Sequence, residues 1–401
     1  MTTLATGPAA DAALDIADPA DLIDIDSLLT PEELATRARV RAFVDAEIRP
    51  NIAEWYEKAH FPLEIAPALG RLGLLGMHLT GHGCPGRSAV EYGLAGAELE
   101  AGDSGLRTFV SVQGSLAMSA IHKHGSEEQK RQWLPAMAAG EAVGCFGLTE
   151  PTAGSDPSSM RTFARRDGGD WVLNGTKRWI GLANVAQVAV IWAQTDEGVR
   201  GFVVPTETPG FAATPIEPKL SMRASIQCEI ELTDVRLPAD AVLPGAVGLK
   251  GPFSCLNEAR YGIIWGAMGA ARDSFEAALA YAQDRLQFDK PLAGYQLTQQ
   301  KLVDMALEIN KGFLLALHIG RRKDAGTLRL HEISAGKLNN CREAIAIARE
   351  ARTILGGNGI TLEHSPLRHA NNLESVRTYE GTDEVHTLIL GQRLTGIPAF
   401  R

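Results

Sequence analysis

The segment TYEGTDEVH, residues 378–386, sets one carboxylate, Glu380, between an aromatic ring and a glycine. A carboxylate removes a proton from carbon only where a dry pocket raises its basicity and a nearby donor stabilises the charge that develops. Gly381 is the residue type with the freest backbone. On spacing alone, Glu380 also fits a solvated acid at the start of a helix. A second chemical group is Arg107 in DSGLRTFVSV, four residues after Asp103. On spacing it suits an i,i+4 surface pair with Asp103. A third is CFGLTEPTAGSDPSSM, residues 145–160. There Gly147, Pro151 and Gly154 let backbone approach a flat ligand, and Thr149 and Ser155 offer hydroxyls. Composition alone equally fits a turn-rich strand entry.

GHGCPG, residues 81–86, has the GxGxxG spacing of a dinucleotide loop. A helical stretch follows, then the strand-like LRTFVSV, with Glu100 or Asp103 available for a ribose. A lone match is weak. Pro85 lacks an N–H where a pyrophosphate needs donors. No repeated βαβ pattern surrounds it. A surface loop between two helices is the better reading. The five cysteines, at 84, 145, 228, 255 and 341, lie far apart without a CxxC or Cys/His cluster. Neither a metal site nor a disulfide framework is expected, and a reducing cytoplasmic setting fits.

Three kinds of element must position these groups. From Thr30 to about residue 142 the apolar period is helical. Thr30, Pro31 and Glu33 form a capping box with proline in the first turn. Ser126 caps another helix that Pro135 bends or ends. From about 146 to 250 the period falls to two, with QVAVIWAQ, GFVVP and CEIELTDVRLP as strands. Asn174-Gly175, inside DWVLNGTKRWI, predicts a type I′ hairpin. From about 252 onward long helices return, and GGNG stops one of them. The expected fold is α+β multi-domain. An N-terminal helical domain (30–145) precedes a small β-barrel or sandwich (146–251) and a C-terminal four-helix bundle (252–401). Residues 1–29 read as a mobile acidic arm, with Leu22, Ile23, Ile25 and Leu28 as possible anchors.

The chain has 401 residues, 45% of them hydrophobic, and a formal charge of −9. That length exceeds one ordinary domain. The acidic balance argues against nucleic acid or anionic membrane as the main partner. No apolar run is long enough to span a bilayer. The first thirty-six residues hold no Lys or Arg, so neither a secretory signal nor an Arg-rich transit peptide fits.

The order of motifs then carries a resemblance. CFGLTEPTAGSDPSSM is followed by KRWIG (177–181), DRLQF (284–288), LGGNG (355–359) and TYEGTDEVH. With helices, barrel and helices around it, this series resembles the acyl-CoA dehydrogenase family of flavoproteins, over essentially the whole chain after residue 30. DSGLRTFVSVQGSLAM, GCFGLTEPTAGSDPSSM, GPFSCLNEARYGIIWGAMGA and NLESVRTYEGTDEVHTLILG most resemble the glutaryl-CoA dehydrogenase branch.

The resemblance implies FAD as cofactor, an acyl-CoA substrate and Glu380 as the base that removes its α-proton. The Glu380 N–H and a flavin ribityl hydroxyl would bond the thioester oxygen, and the β-carbon would pass a hydride to the flavin. Some relatives carry the base at the position of Ala259, which cannot serve; Glu258 would point about 100° away on that helix. For FAD, the resemblance implies Phe146, Leu148, Thr149 and Ser155 on one strand and loop. Trp179, Ile180 and Gly181 fall where the ring is covered. From a neighbouring subunit it implies Arg285, Phe288 and Gln296, together with Thr353, Leu355, Gly356 and Gly357. Thr382 and Glu384 fall at further FAD positions. Shared sites imply a dimer, and the family is usually a tetramer, a dimer of dimers. Arg260 matches a position near CoA, though a helix salt bridge would also explain it. Ser155 and Gly381 also fall at substrate positions.

In the glutaryl branch an arginine holds the distal carboxylate, helped by a neighbouring hydroxyl and a glutamate. Here these are Arg107, Thr108 and Glu100, with Tyr379 packed near the base. The implied reaction is oxidation of glutaryl-CoA and loss of CO2 to give crotonyl-CoA, with electrons passed to an electron-transfer flavoprotein. Three positions depart from the pattern. Thr108 replaces serine, Gly181 replaces a hydroxyl residue near the flavin, and Asp289 replaces glycine. KRWIG is similar to plant peroxisomal short-chain acyl-CoA oxidases, so O2 is the alternative acceptor. Another short, branched or carrier-bound acyl thioester is the alternative substrate.

Overall fold

The capping box expected at Thr30 forms. The Thr30 hydroxyl accepts from the Glu33 N–H, the Glu33 carboxylate accepts from the Thr30 N–H, and a helix runs from Pro31. The computed structural model describes residues 18–400. The N-terminal helices are α1 (Pro31–Phe43), α2 (Ile52–Glu57), α3 (Ala66–Arg71), α4 (Ala89–Gly102), α5 (Ser104–Ser111), α6 (Ser119–His124) and α7 (Glu127–Ala139). A π-helical stretch, Val112–Met118, joins α5 to α6. Ser126 caps α7 as expected, but Pro135 lies within that helix and the stop comes at Gly140, at φ +75°. GHGCPG forms a tight loop between α3 and α4, built on the two-residue strands β1 (Thr80–Gly81) and β2 (Cys84–Pro85).

LRTFVSV, read above as strand-like, is helical. Its residues are buried on nearly every side, so alternation of apolar and polar types carried no information about its period. Residues 1–17 of the expected arm lie outside the described residues. Residues 18–29 are packed rather than free: Asn310 Nδ2 donates to the Ala20 carbonyl at 3.0 Å, and Arg37 pairs with Asp26. Of the four possible anchors, Ile25 is buried, Leu22 is half-buried, and Ile23 and Leu28 are exposed.

One curled, mixed, seven-stranded sheet follows. Its strands are β3 (Gly144–Gly147), β4 (Phe163–Asp167), β5 (Asp170–Gly181), β6 (Val188–Thr195), β7 (Gly198–Pro205), β8 (Phe211–Pro215) and β9 (Gln227–Leu237). The spatial order is β3-β6-β4-β5-β9-β8, with β7 also on β6, and β3 lies parallel to β6. The hairpin expected at Asn174-Gly175 is a correction. β5 runs straight through that dipeptide with a register shift against β9, and the turn is Gly168-Gly169 instead. Two contacts explain it. The Asn174 side chain bridges to Asp234 on β9 through both its amide groups. A Cβ on Gly175 would lie 2.5 Å from the Thr162 hydroxyl, so glycine serves close packing there.

The C-terminal part is a helical bundle of α8 (Lys250–Asp284), α9 (Gln296–Asp324), α10 (Leu330–Ile354) and α11 (Ser365–Val376). A tiny hairpin, β10 (Leu286–Gln287) with β11 (Lys290–Pro291), joins α8 to α9. A last helix, α12 (Asp383–Thr395), lies against α10. Helix α8 is the spine, and every residue from Tyr261 to Phe275 is buried. The stretch Tyr261–Ala271 is apolar all round, as suits a helix inside a large protein. One hydrophobic core joins the N-terminal helices to the sheet, and a second fills the bundle. The turn between α11 and α12, residues 377–382, therefore sits where α8, α10 and α5 converge.

Candidate active site

Glu380 occupies that turn at φ +56°, a left-handed conformation that non-glycine residues rarely adopt. One carboxylate oxygen, Oε2, is buried without a hydrogen-bond partner among the described residues. Burial raises its pKa above the ordinary carboxylate value, against the pull of Arg107, Lys337 and Arg260. A carboxylate so placed is a stronger base than one in water. Gly381 follows at φ +106°, and a Cβ there would lie 2.8 Å from the His386 Nε2. Thr382 caps α12 by accepting from the Val385 N–H, and Glu384 is an exposed acid in its first turn.

Arg107 on α5 is only 2% exposed. Its Nε donates to Glu100 Oε2 at 2.6 Å, and its Nη2 donates to the Tyr379 hydroxyl. Thr108 Oγ1 stands 3.2 Å from the same hydroxyl. Two buried atoms are left over in this group: Arg107 Nη1 and Glu100 Oε1 have no partner among the described residues. Burial works against the Arg107 charge, but Glu100 and Tyr379 hold its pKa above the usual value. The surface pair with Asp103 is not made. Asp103 is buried against Arg368 at 2.5 Å and Asn372 at 2.9 Å, and it caps Gly105. Thus Glu100, Arg107, Thr108, Tyr379 and Glu380, scattered in sequence, converge in space.

The α8 residues divide as the helical angle demands. Ala259 is fully buried, while Glu258 turns away to Lys123 at 2.9 Å and Lys323 at 2.7 Å. Among the described residues Arg260 makes no carboxylate pair; its Nε donates to the Glu380 carbonyl at 2.7 Å. Sequence reasoning missed Lys337. This α10 lysine is 1% exposed and donates to the carbonyls of Tyr379 at 2.8 Å and Gly381 at 2.6 Å. Its signal was available: it falls in phase with the buried Ser334, Cys341 and Ala344 of an amphipathic helix.

The residues expected around a flavin fall into two sets. Phe146 and Leu148 are buried at the end of β3, Thr149 accepts from the Arg178 N–H at 2.9 Å through its carbonyl, and Ser155 is exposed. Trp179 stands at φ +64° with 53% of its surface exposed, next to the buried Ile180. A Cβ on Gly154 would meet nothing within 4 Å, and one on Gly181 would meet only Val112, at 3.5 Å or more. An exposed aromatic face beside open backbone fits a flat ring system. The second set gathers at one end of the bundle: exposed Arg285, Gln296, Thr353, Gly356 and Gly357, buried Leu355, and Phe288 at 91% exposure. Lys301 Nζ, 3.2 Å from the Thr353 hydroxyl, ties these segments together.

Comparison with known proteins identifies the family. Family models match three successive regions: the acyl-CoA dehydrogenase N-terminal domain over residues 30–141, the middle domain over 145–235 and the C-terminal domain over 247–395. The chain is 37% identical to the mitochondrial short-chain specific acyl-CoA dehydrogenase of Homo sapiens, over 88% of each chain. A crystal structure of a glutaryl-CoA dehydrogenase from Mycobacterium smegmatis, in complex with FADH2, superposes with a TM-score of 0.95 at 63% identity. It covers 96% of this chain and 99% of that one. Butyryl-CoA dehydrogenase from Megasphaera elsdenii gives 0.87 at 30% identity, over 91% and 98%. The chain belongs to the acyl-CoA dehydrogenase family, whose members work with FAD.

Proposed function

We propose that this acyl-CoA dehydrogenase oxidises and decarboxylates glutaryl-CoA, giving crotonyl-CoA and CO2. One observation carries the choice of substrate. Arg107 is buried, yet the two N–H bonds of its Nη1 lack an acceptor among the described residues. A buried guanidinium with spare donors is costly unless a ligand completes it. A carboxylate at the far end of the acyl chain would do so, with Thr108 and the Tyr379 hydroxyl alongside. The likeness to a glutaryl-CoA dehydrogenase at 63% identity supports the same substrate.

Glu380 takes the α-proton. Burial supplies the basicity, and the Glu380 N–H donates to the thioester oxygen as negative charge develops there. Bound FAD would supply the two-electron acceptor for the β-hydride. Phe146, Leu148, Thr149, Ser155, Trp179, Ile180 and Gly181 would hold its ring. Arg285, Phe288, Gln296 and residues 353–357 would meet FAD from a partner copy, with Thr382 and Glu384 nearby. The product, glutaconyl-CoA, is a vinylogous acid. Its Cγ–carboxylate bond breaks, CO2 leaves, and the bonding pair moves into a dienolate held at the same thioester oxygen. Glu380, now protonated, returns its proton to the γ-carbon. The chain carries no helix long and apolar enough to cross a membrane among the described residues, and an electron-transfer flavoprotein is the proposed acceptor.

The test is selectivity. Arg107→Met should cost about 3–5 kcal/mol in kcat/KM for glutaryl-CoA, as for breaking a buried ion pair. Butyryl-CoA, which lacks the distal charge, should lose less than about tenfold. Because Glu100 is left alone in that variant, Glu100→Gln/Arg107→Met serves as its partner. Equal losses for both thioesters would remove the carboxylate from Arg107. Peroxide formed at the rate of substrate loss, without an added acceptor, would favour the oxidase reading raised by Gly181.

A further inference from the structure

Three successive carbonyls in the Glu380 turn are held by two cations from two helices. Lys337 on α10 takes the carbonyls of Tyr379 and Gly381, and Arg260 on α8 takes the one between them, that of Glu380. We infer that Lys337 and Arg260 are positioning residues that clamp this turn, aiming both the Glu380 carboxylate and the Glu380 N–H at the substrate. The inference rests on the reading of Glu380 as the base.

The geometry follows from the planar trans peptide. In such a unit the C=O and the next N–H point in opposite directions. Holding the Tyr379 carbonyl on the α10 side turns the Glu380 N–H to the opposite side. Holding the Glu380 carbonyl does the same for the peptide that follows. The two cations thus fix both peptide planes around one Cα, and so the direction in which its side chain leaves. That constraint matters because Glu380 sits in a left-handed conformation, which its own backbone does not favour. Gly381 beside it, at φ +106°, adds freedom rather than restraint. The turn is also short: it spans only the residues between the end of α11 and the start of α12.

A merely structural lysine would need neither this partner set nor this place. Lys337 is almost wholly buried, which disfavours its charge and lowers its pKa. A buried ammonium is retained where backbone carbonyls replace its water. The clamp has an electrostatic consequence as well. The charged and titratable groups that bear on Glu380 are Arg107 from α5, Arg260 from α8 and Lys337 from α10. Tyr92 from α4 and the adjacent Tyr379 also feel its charge, and His386 from α12 packs on Gly381. Loss of either clamp cation leaves the base harder to ionise.

The test uses the FAD-loaded enzyme and the variants Lys337→Met, Arg260→Gln and Glu380→Gln. Each is assayed for flavin content, for kcat and KM with glutaryl-CoA across pH, and for binding of acetoacetyl-CoA. The acidic α-proton of that ligand lets it bind as an enolate, so its affinity reports the oxyanion donor without turnover. The clamp predicts a kcat lowered about 10²-fold, as for a lost oxyanion donor. It also predicts KM within threefold, acetoacetyl-CoA bound at least tenfold more weakly, and the acid limb of kcat moved to higher pH. If Lys337→Met fails to fold or to retain flavin, Arg260→Gln alone decides. Values of kcat, acid limb and acetoacetyl-CoA affinity within twofold of wild type in the folded clamp variants, with Glu380→Gln inactive, overturn the clamp and leave the base standing. A Glu380→Gln variant with kcat within twofold of wild type removes both.

Discussion

The Arg107 guanidinium and the Tyr379 hydroxyl are hydrogen-bonded across 272 residues of sequence. Tyr379 immediately precedes Glu380, so the group that would read the far end of the acyl chain touches the turn that carries the base. In the proposed mechanism, substrate choice and proton abstraction are joined through this one phenol.

The first consequence is a pH dependence. Burial raises the Glu380 pKa, and only the ionised carboxylate can accept a proton. Activity should therefore be full at higher pH and fall as pH drops through the raised value, above the ordinary 4.5. A kcat profile measures this limb. Glu380→Gln should abolish it and lower kcat about 10²–10⁴-fold, the usual contribution of a general base. A wild-type profile that stays flat through pH 4.5 would assign the proton to another group.

Much of this site was legible from residue types in order along the chain, and the reason is physical. Glu380, Arg107, Thr108 and Glu100 are legible through the order of motifs and the family it resembles; spacing alone leaves Glu380 a solvated acid and Arg107 a surface pair, and the structure brings all four together. Lys337 did not stand out, because a lysine in a long helix reads as solvated until its phase is checked against the buried face. Asn174-Gly175 misled for the opposite reason. The dipeptide is a strong local turn signal, but its packing against Thr162 and its bonds to Asp234 are made by chain distant in sequence. LRTFVSV looks like a strand because β-branched and aromatic residues suit strands, but burial of the segment overrides their small helix penalty.

Packing around Arg107 gives a second prediction. Gly266 on α8 lies under the pair, and a Cβ there would stand 2.0 Å from Glu100 Oε2 and 3.1 Å from Arg107 Nε. Gly266→Ala should displace both groups and lower kcat/KM for glutaryl-CoA about 10²-fold, the usual effect of misplacing a binding group by about 1 Å. Flavin content should be retained. Unchanged kinetics would mean that the pair moves freely and does not hold substrate.

A third prediction concerns stability. Glu98 on α4 is buried between Arg272, at 2.7 Å through both oxygens, and Arg41 at 3.1 Å. Burial alone would raise its pKa, but the two guanidinium groups pull it down to about 2. A depressed carboxylate stabilises the fold above its unfolded pKa, near 4.5, and loses that contribution as pH falls toward 2. Glu98→Gln should therefore cost about 3–5 kcal/mol at neutral pH, as for one broken buried pair. The gap from wild type should close between pH 4.5 and 2. Thermal melts across that range check it, and a gap independent of pH would contradict it.

The most direct measurement is an anaerobic titration of the purified flavoprotein with glutaryl-CoA, reading flavin absorbance and product mass together. The account predicts stoichiometric bleaching, release of CO2 and a mass for crotonyl-CoA, with butyryl-CoA reducing the flavin far less efficiently. Bleaching by butyryl-CoA with none by glutaryl-CoA would contradict it.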